Sequence, residues 1–354
     1  MSLFAQVQKR VGNFFLNAKF ETGDETLSVL GASGAGKSLL LKCLAGIEKP
    51  DNGKIILNGR VLFDSETRID LAPQKRSVGY LFQSCALFPN MTVFQNAVCA
   101  ARDKDFAAHC LKNFGLAGKE NLYPHMLSGG EKQRVALARL LASEPDALLF
   151  DEPFSALDSN RKSELERMIL DLLEEKKRPS ILVTHDRNEA FRLSKKISVM
   201  ESGTLYEPMD KLDFFERPRT LSRAILGGCK NITRLEWNGG QSATALDWGM
   251  ELSFSSVVPK NERKGFAGFR AHFFETGEKG GQNVFLCKIE RVIEDAFSYV
   301  IYFRHDGFLG DSKSLLCWEV QKEVWKKIEP SLEQKKLFVK IDARRLMFLN
   351  KEGS

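Results

Sequence analysis

Long apolar runs are missing from this chain: nothing reaches the roughly 18 consecutive apolar residues that a membrane-spanning helix needs. The opening stretch MSLFAQVQKRVGNFF also lacks the apolar core of a signal peptide. A cytosolic chain is therefore expected, with any membrane role borrowed from a partner. The seven cysteines, Cys43, Cys85, Cys99, Cys110, Cys229, Cys287 and Cys317, never fall in a C-x-x-C pair, and most sit among apolar residues, as reduced core thiols do. An excess of one charge is absent too. Fifty-two basic against 46 acidic residues leave +6, without a block of about five or six like charges, which is too weak to imply nucleic acid. No heptad run, low-complexity tract or internal repeat is found, so long coiled-coil architectures are disfavoured.

The chain does have 354 residues and 43% hydrophobic content, enough for two or three domains with cores of their own. Its most specific feature is GASGAGKS, residues 31 to 38, which fits G-x-x-x-x-G-K-[ST] at every fixed position. The short apolar strand LSVL precedes it and the helical LLLKCLAGI follows. In that setting Gly31, Ala32, Ser33, Gly34, Ala35 and Gly36 form a phosphate-binding loop. Its glycines let backbone N–H groups close around phosphates, and the helix start adds partial positive charge. Lys37 is expected to reach the β- and γ-phosphates and Ser38 to place its hydroxyl on Mg²⁺.

Alternating segments over the first thirty residues read as strands, and LNGR between KII and VLF reads as a hairpin turn. From about 84 to 130 strong strand runs are lacking and KDFAAHCLKNFGL has helical spacing, which predicts a helical insert. DALLF and SILVT are short continuous apolar runs separated by the helical NRKSELERMILDLLEEKK. This alternation predicts an α/β fold with a mostly parallel sheet and crossover helices. Beyond LGGCKN, NGG, DWG, KGG and HDG turns separate alternating segments, so the tail is expected to be β-rich. A boundary is expected near Gly228, giving domains of 1–228 and 229–354.

ALLFDE is an apolar strand ending in two carboxylates, where a parallel sheet lines its ligand crevice. Asp151 is a candidate Mg²⁺ ligand, directly or through water, and Glu152 a candidate base for an attacking water. Gln83 ends VGYLFQ, and His185 ends ILVTH, where a neutral imidazole would contact a terminal phosphate. Asp158 ends SALD, where it is either a phosphate-site residue or the cap of the next helix. LSGGEKQR, residues 127 to 134, offers a second glycine-led helix start at Ser128, Gly129 and Gly130.

The order of these parts resembles the ATP-binding subunit of ABC transporters, over residues 1 to about 228. In that family LSGGEKQR is the signature motif. The resemblance implies a P-loop ATPase domain with an antiparallel β-subdomain, and a homodimer in which Ser128, Gly129 and Gly130 face the ATP held by the other copy. It further implies Gln83 as a catalytic residue and Mg²⁺ contact that, with the helical insert, transmits to an integral-membrane permease. An extracytoplasmic substrate-binding protein is then an indirect partner, and nucleic acid is not expected. The subunit would sit peripherally on the cytoplasmic side of the inner membrane. Relatives stack adenine on an aromatic residue where this chain has Val11, so Phe14 or Phe15 is expected to substitute.

Within the family the stretches GRVLFDSETRIDLAPQKRSVGYLFQSCALFPNMTVFQNA, GCKNITR, ALDWG and FRAHFF look like the molybdate importer subgroup, with molybdate or tungstate as cargo. Sulfate, iron(III) and polyamine importers share the plan and stay open. A reading from another class is a soluble ABC-type ATPase that clamps nucleic acid or a translation complex. The tail is read as a β-domain that helps subunits pair; it shows no clear oxyanion-binding signature.

Overall fold

The computed structural model describes residues 1–155, 157, 159–175, 177–255, 264–308, 315–332 and 334–351. They form two compact units, Met1–Lys211 and Leu212–Ser354. The division comes before the change in sequence character near Gly228. The reason is that the short helix Leu221–Leu226 and most of Lys211–Glu216 fall with the second unit, where the Leu221 N–H donates to the Asn350 carbonyl (2.9 Å).

In the first unit the strands β1 (Leu3–Val11), β2 (Phe14–Thr22) and β3 (Thr26–Leu30) lead into helix α1 (Lys37–Ala45). Then come β4 (Asn52–Leu57), β5 (Arg60–Asp64), β6 (Ile69–Asp70) and β7 (Val78–Leu81), followed by helices α2 (Val93–Val98), α3 (Lys104–Asn113) and α4 (Gly129–Ala142). The remaining elements are β8 (Ala147–Asp151), α5 (Ser159–Glu175), β9 (Ser180–Thr184), α6 (Arg187–Leu193), β10 (Lys196–Glu201), β11 (Thr204–Leu205) and β12 (Met209–Asp210). The β4–β5 hairpin turns on Asn58 and Gly59, both at positive φ (51° and 78°), as the turn type matching strand twist requires. Between β7 and β8 the described chain is helix and loop, as the expected insert requires.

These strands make one sheet in the order β6-β5-β4-β1-β2-β11-β10-β3-β9-β8-β7, with β12 on β10. The β10-β3-β9-β8-β7 part is parallel and the β6-β5-β4-β1-β2 part antiparallel. β8 and β9 are buried on both faces: Ala147, Leu149, Ile181 and Val183 join a core with α1, whereas Leu148, Phe150 and Leu182 join one with the insert and α4 and α5. Two-sided burial is why these strands read as unbroken apolar runs. No helix among the described residues is long and apolar enough to cross a membrane.

The second unit holds two antiparallel five-stranded sheets. They share a core that includes Trp248, Phe269, Phe303, Trp318 and Trp325. The buried Asn231 joins them by donating to the carbonyls of Phe269 (3.0 Å) and Cys317 (2.9 Å) while accepting the Cys317 N–H (2.6 Å). All seven cysteines are free, and Cys43, Cys110, Cys229, Cys287 and Cys317 are buried. Burial pushes the Cys43 and Cys287 thiols up to about 12. Cys99 departs from the core-thiol expectation: it is exposed, at the end of a short helix whose apolar neighbours face inward.

Arg76 ties the phosphate-loop helix to the sheet. Its guanidinium is fully buried and donates to the carbonyls of Cys43 (2.8 Å) and Leu44 (3.0 Å) in the last turn of α1, where the Gly46 N–H also donates to Cys43 (3.2 Å). It also donates to the Leu71 carbonyl (2.8 Å) and to Asp70 (3.0 Å). Arg76→Met would remove the guanidinium donors from the Leu44, Leu71 and Asp70 oxygens and leave Cys43 with the Gly46 N–H. Urea unfolding of the whole chain is expected to show a loss of about 3 kcal/mol; an unchanged midpoint would contradict this role.

Candidate functional site

Four neighbouring parallel strands, in the order β3, β9, β8, β7, end at nearly the same level, because Leu30 pairs with Thr184, Asp151 with Val183, and Leu81 with Phe150. The expected residues follow those ends: Gly31 to Ser38 after β3, His185 after β9, Asp151 and Glu152 at β8, Gln83 just beyond β7. In open α/β sheets this edge is where ligands bind.

The loop's backbone explains its glycines. A Cβ on Gly31 would sit 2.4 Å from the Met200 carbonyl oxygen, and Gly36, at φ 105°, has the Phe14 ring 2.7 Å from where its Cβ would be. Lys37 is buried and folds back, donating to the carbonyls of Gly31 (2.8 Å) and Ala32 (2.9 Å), with Glu152 Oε1 3.9 Å away. Burial draws its pKa down, and the charges of Glu152 and Asp151 oppose that. Ser38 Oγ donates to Asp151 Oδ1 at 2.8 Å, and the Tyr80 hydroxyl donates to Asp151 Oδ2, also at 2.8 Å. Burial, followed by the Asp151 charge, raises the Tyr80 pKa and keeps it a hydrogen-bond donor.

Glu152 is held at φ 44°, a conformation an L-residue enters at a cost, and its N–H reaches the Val183 carbonyl at 3.0 Å. Its Oε2 lies 3.1 Å from His185 Nδ1. Hydrogen-bonding to the carboxylate places a proton on Nδ1, so a neutral ring would keep Nε2 as an acceptor only. Gln83 Nε2 donates to Ser155 Oγ (3.3 Å), which donates to the Glu152 carbonyl (3.1 Å). Asp158 lies outside the described residues.

Ser38 and Asp151 present adjacent hydroxyl and carboxylate oxygens, a hard donor pair that suits Mg²⁺ held mainly by phosphates and water. When bound, the ion would neutralise phosphate charge. Gln83 is turned by its amide nitrogen toward Ser155.

Phe14 lies on the phosphate-loop side of β2, its ring against Gly36 and near Gly203. Phe15 points to the opposite face, with the Arg10 guanidinium 5.2 Å from its ring centroid. Of the two, Phe14 alone shares a face with the loop.

The second helix start is built by a capping box. Ser128 Oγ accepts the Glu131 N–H (3.4 Å) and Glu131 Oε2 accepts the Ser128 N–H (2.7 Å). Lys119 pairs with the same carboxylate. A Cβ on Gly129 would meet no atom within 4 Å, so the front of this helix start is open. Sequence reasoning passed over Glu131, although S-x-x-E before a helix is the signal for such a box. Tyr80 and Ser155 carried no local signal.

A glycine loop between strand and helix, a buried acidic strand end and a histidine on the neighbouring strand define a P-loop nucleotide-binding α/β unit. Residues 16–155 match the family model described as ABC transporter, and this segment belongs to that family. The chain is 37% identical over 206 residues to the molybdenum import ATP-binding protein ModC of Aliivibrio fischeri, covering 57% of each. It is 42% identical over 207 residues to ModC of Mannheimia succiniciproducens, covering 57% of this chain and 58% of that one. With the sulfate/thiosulfate import ATP-binding protein CysA of a Synechocystis strain it shares 39% over 223 residues, covering 60% and 61%. These matches span about three fifths of each curated relative's length. Among solved structures, the dimeric post-hydrolysis state of the ATP-binding cassette MJ0796 with ADP and Pi aligns at a TM-score of 0.51. Its sequence identity is 28%, covering 60% of this chain and 99% of that one.

The capping carboxylate gives a pH test. Lys119, then the Ser128 N–H, hold Glu131 down at about 2 from an ordinary 4.5. A depressed carboxylate contributes stability that is present above about 4.5 and lost as pH falls toward about 2. Glu131→Gln should flatten the stability profile in that window. An identical acid profile in thermal melts would show that the box contributes nothing.

Proposed function

We propose that the chain is the ATP-hydrolysing subunit of an ABC importer, acting as a homodimer beneath a membrane permease. The observation that carries this reading is the gathering of Lys37, Ser38, Asp151, Glu152, His185 and Gln83 on the ends of four adjacent strands, beside a separate, open, capped helix start at Ser128. Phosphate oxygens would draw the Lys37 ammonium off the carbonyls of Gly31 and Ala32. Glu152, oriented by His185, would take the proton of the attacking water. Phosphoryl transfer asks the protein for positioning and electrostatics, and each of these side chains supplies one or the other. Phe14 is the aromatic offered to adenine, and Ser38 and Asp151 would hold Mg²⁺.

Two sites made of half-sites from two copies would let ATP favour a closed dimer over an open one, and that difference can drive a permease. A dimeric cassette structure aligned over 99% of its length supports the pairing. For cargo we propose a tetrahedral oxyanion, molybdate first. The stretches that look like the molybdate subgroup favour it; ModC and CysA relatives match at similar identity, so sulfate or thiosulfate is the alternative. The protein would lie at the cytoplasmic face of the inner membrane through its permease. The β-rich second unit, 229–354 on the sequence reading, is proposed to help the copies pair.

Glu152→Gln should lower ATP turnover at least about 100-fold with ATP binding kept; parental turnover would remove Glu152 from the mechanism. Mixing Lys37→Ala chains with Ser128→Arg chains should recover hydrolysis, because one shared site keeps two intact halves. No recovery would mean that each helix start serves its own loop. For cargo, cells lacking the chain should fail to take up labelled molybdate in competition with tungstate; unaltered molybdate uptake with lost sulfate uptake would reassign it.

A further inference from the structure

The His185 side chain is 63% exposed, and its ring bonds to Glu152 at 3.1 Å. A ring so exposed takes its direction largely from the backbone beneath it, and that backbone is fixed on both sides. Thr184 donates its hydroxyl to Glu189 and accepts the Asp186 N–H at 3.0 Å. Asp186 in turn caps α6 by accepting the Asn188 N–H at 2.8 Å. Lys162, on α5, closes this cage from outside: its Nζ is 2.6 Å from Asp186 Oδ2 and 2.6 Å from Glu189 Oε1. Burial opposes its charge, but the bonds to Asp186 and Glu189 outweigh this and raise its pKa.

We propose that Lys162 is a positioning residue for His185: by pairing with Asp186 and Glu189 together it fixes the loop that holds the imidazole against Glu152 and joins that loop to helix α5. This rests on the ATPase reading above. The α5 helix follows the acidic strand end in the chain, whereas His185 follows the next strand, so the lysine links two segments around the water-activating carboxylate. A second bridge between the same helices, Arg192 to Glu166 at 2.7 Å, touches neither Asp186 nor Glu189. It therefore separates helix packing from loop positioning.

Steady-state ATP hydrolysis by the full chain should be compared for Lys162→Met, Lys162→Arg, Arg192→Leu and His185→Ala. Lys162→Met is expected to lower kcat about 10- to 100-fold with KM within about twofold. Lys162→Arg should restore most of kcat, and Arg192→Leu should behave like the parent. Removing the lysine leaves the buried Glu189 carboxylate with the Thr184 hydroxyl but without its cation; should Lys162→Met fail to fold, Lys162→Met with Glu189→Gln removes the stranded charge and is expected to show the same loss of kcat. Equal losses in Lys162→Met and Arg192→Leu, or no rescue by arginine, would overturn the proposal in favour of packing. An inactive His185→Ala beside a fully active Lys162→Met would overturn it alone. A fully active His185→Ala would take down the ATPase-site reading and this proposal with it.

Discussion

The hydrogen bond from Ser38 to Asp151 spans the intervening strand β9 and joins the first turn of the phosphate-loop helix to the end of β8. Its 2.8 Å length requires β3, β9 and β8 to end level, which their parallel register provides. Register in turn depends on strands buried on both faces, with alternate residues committed to different cores, so that slipping by one position would exchange the two sets. Asp151 is then held through both oxygens, by Ser38 and by Tyr80, and its neighbour Glu152 is turned outward at positive φ toward His185.

From this arrangement the chemistry divides between two places. The loop and the strand ends collect a cation, a hydroxyl, two carboxylates and an imidazole, which suits a phosphate chain with its metal and an attacking water. The Ser128 helix start supplies a further set of N–H groups, with each of its two capping side chains accepting the other residue's backbone N–H and its first glycine open in front. A helix start left so exposed binds anions readily. In the proposed dimer that anion belongs to the other copy.

Much of the first unit was legible because its signals are local. The phosphate loop needs only a strand, eight residues and a helix, and β8 and β9 announce themselves as short apolar runs. What the sequence hid depends on distant partners. Tyr80 meets Asp151 across 71 positions, and Ser155 links Gln83 to Glu152 only once β7 and β8 lie side by side. The tautomer of His185 follows from its carboxylate neighbour, which pattern alone does not reveal. The division at Lys211 was also hidden, since short helices give little periodicity to read. Phe14 and Phe15 are adjacent and chemically equal in sequence; strand alternation puts one against Gly36 and the other on the far face.

The central claim is that ATP is bound between two copies of this chain. Its most direct measurement is the mass and nucleotide content of the slow-hydrolysing Glu152→Gln chain by light scattering after gel filtration in ATP and Mg²⁺. The account predicts a species of two chains carrying two ATP. A single chain retaining one ATP at saturating nucleotide would contradict it.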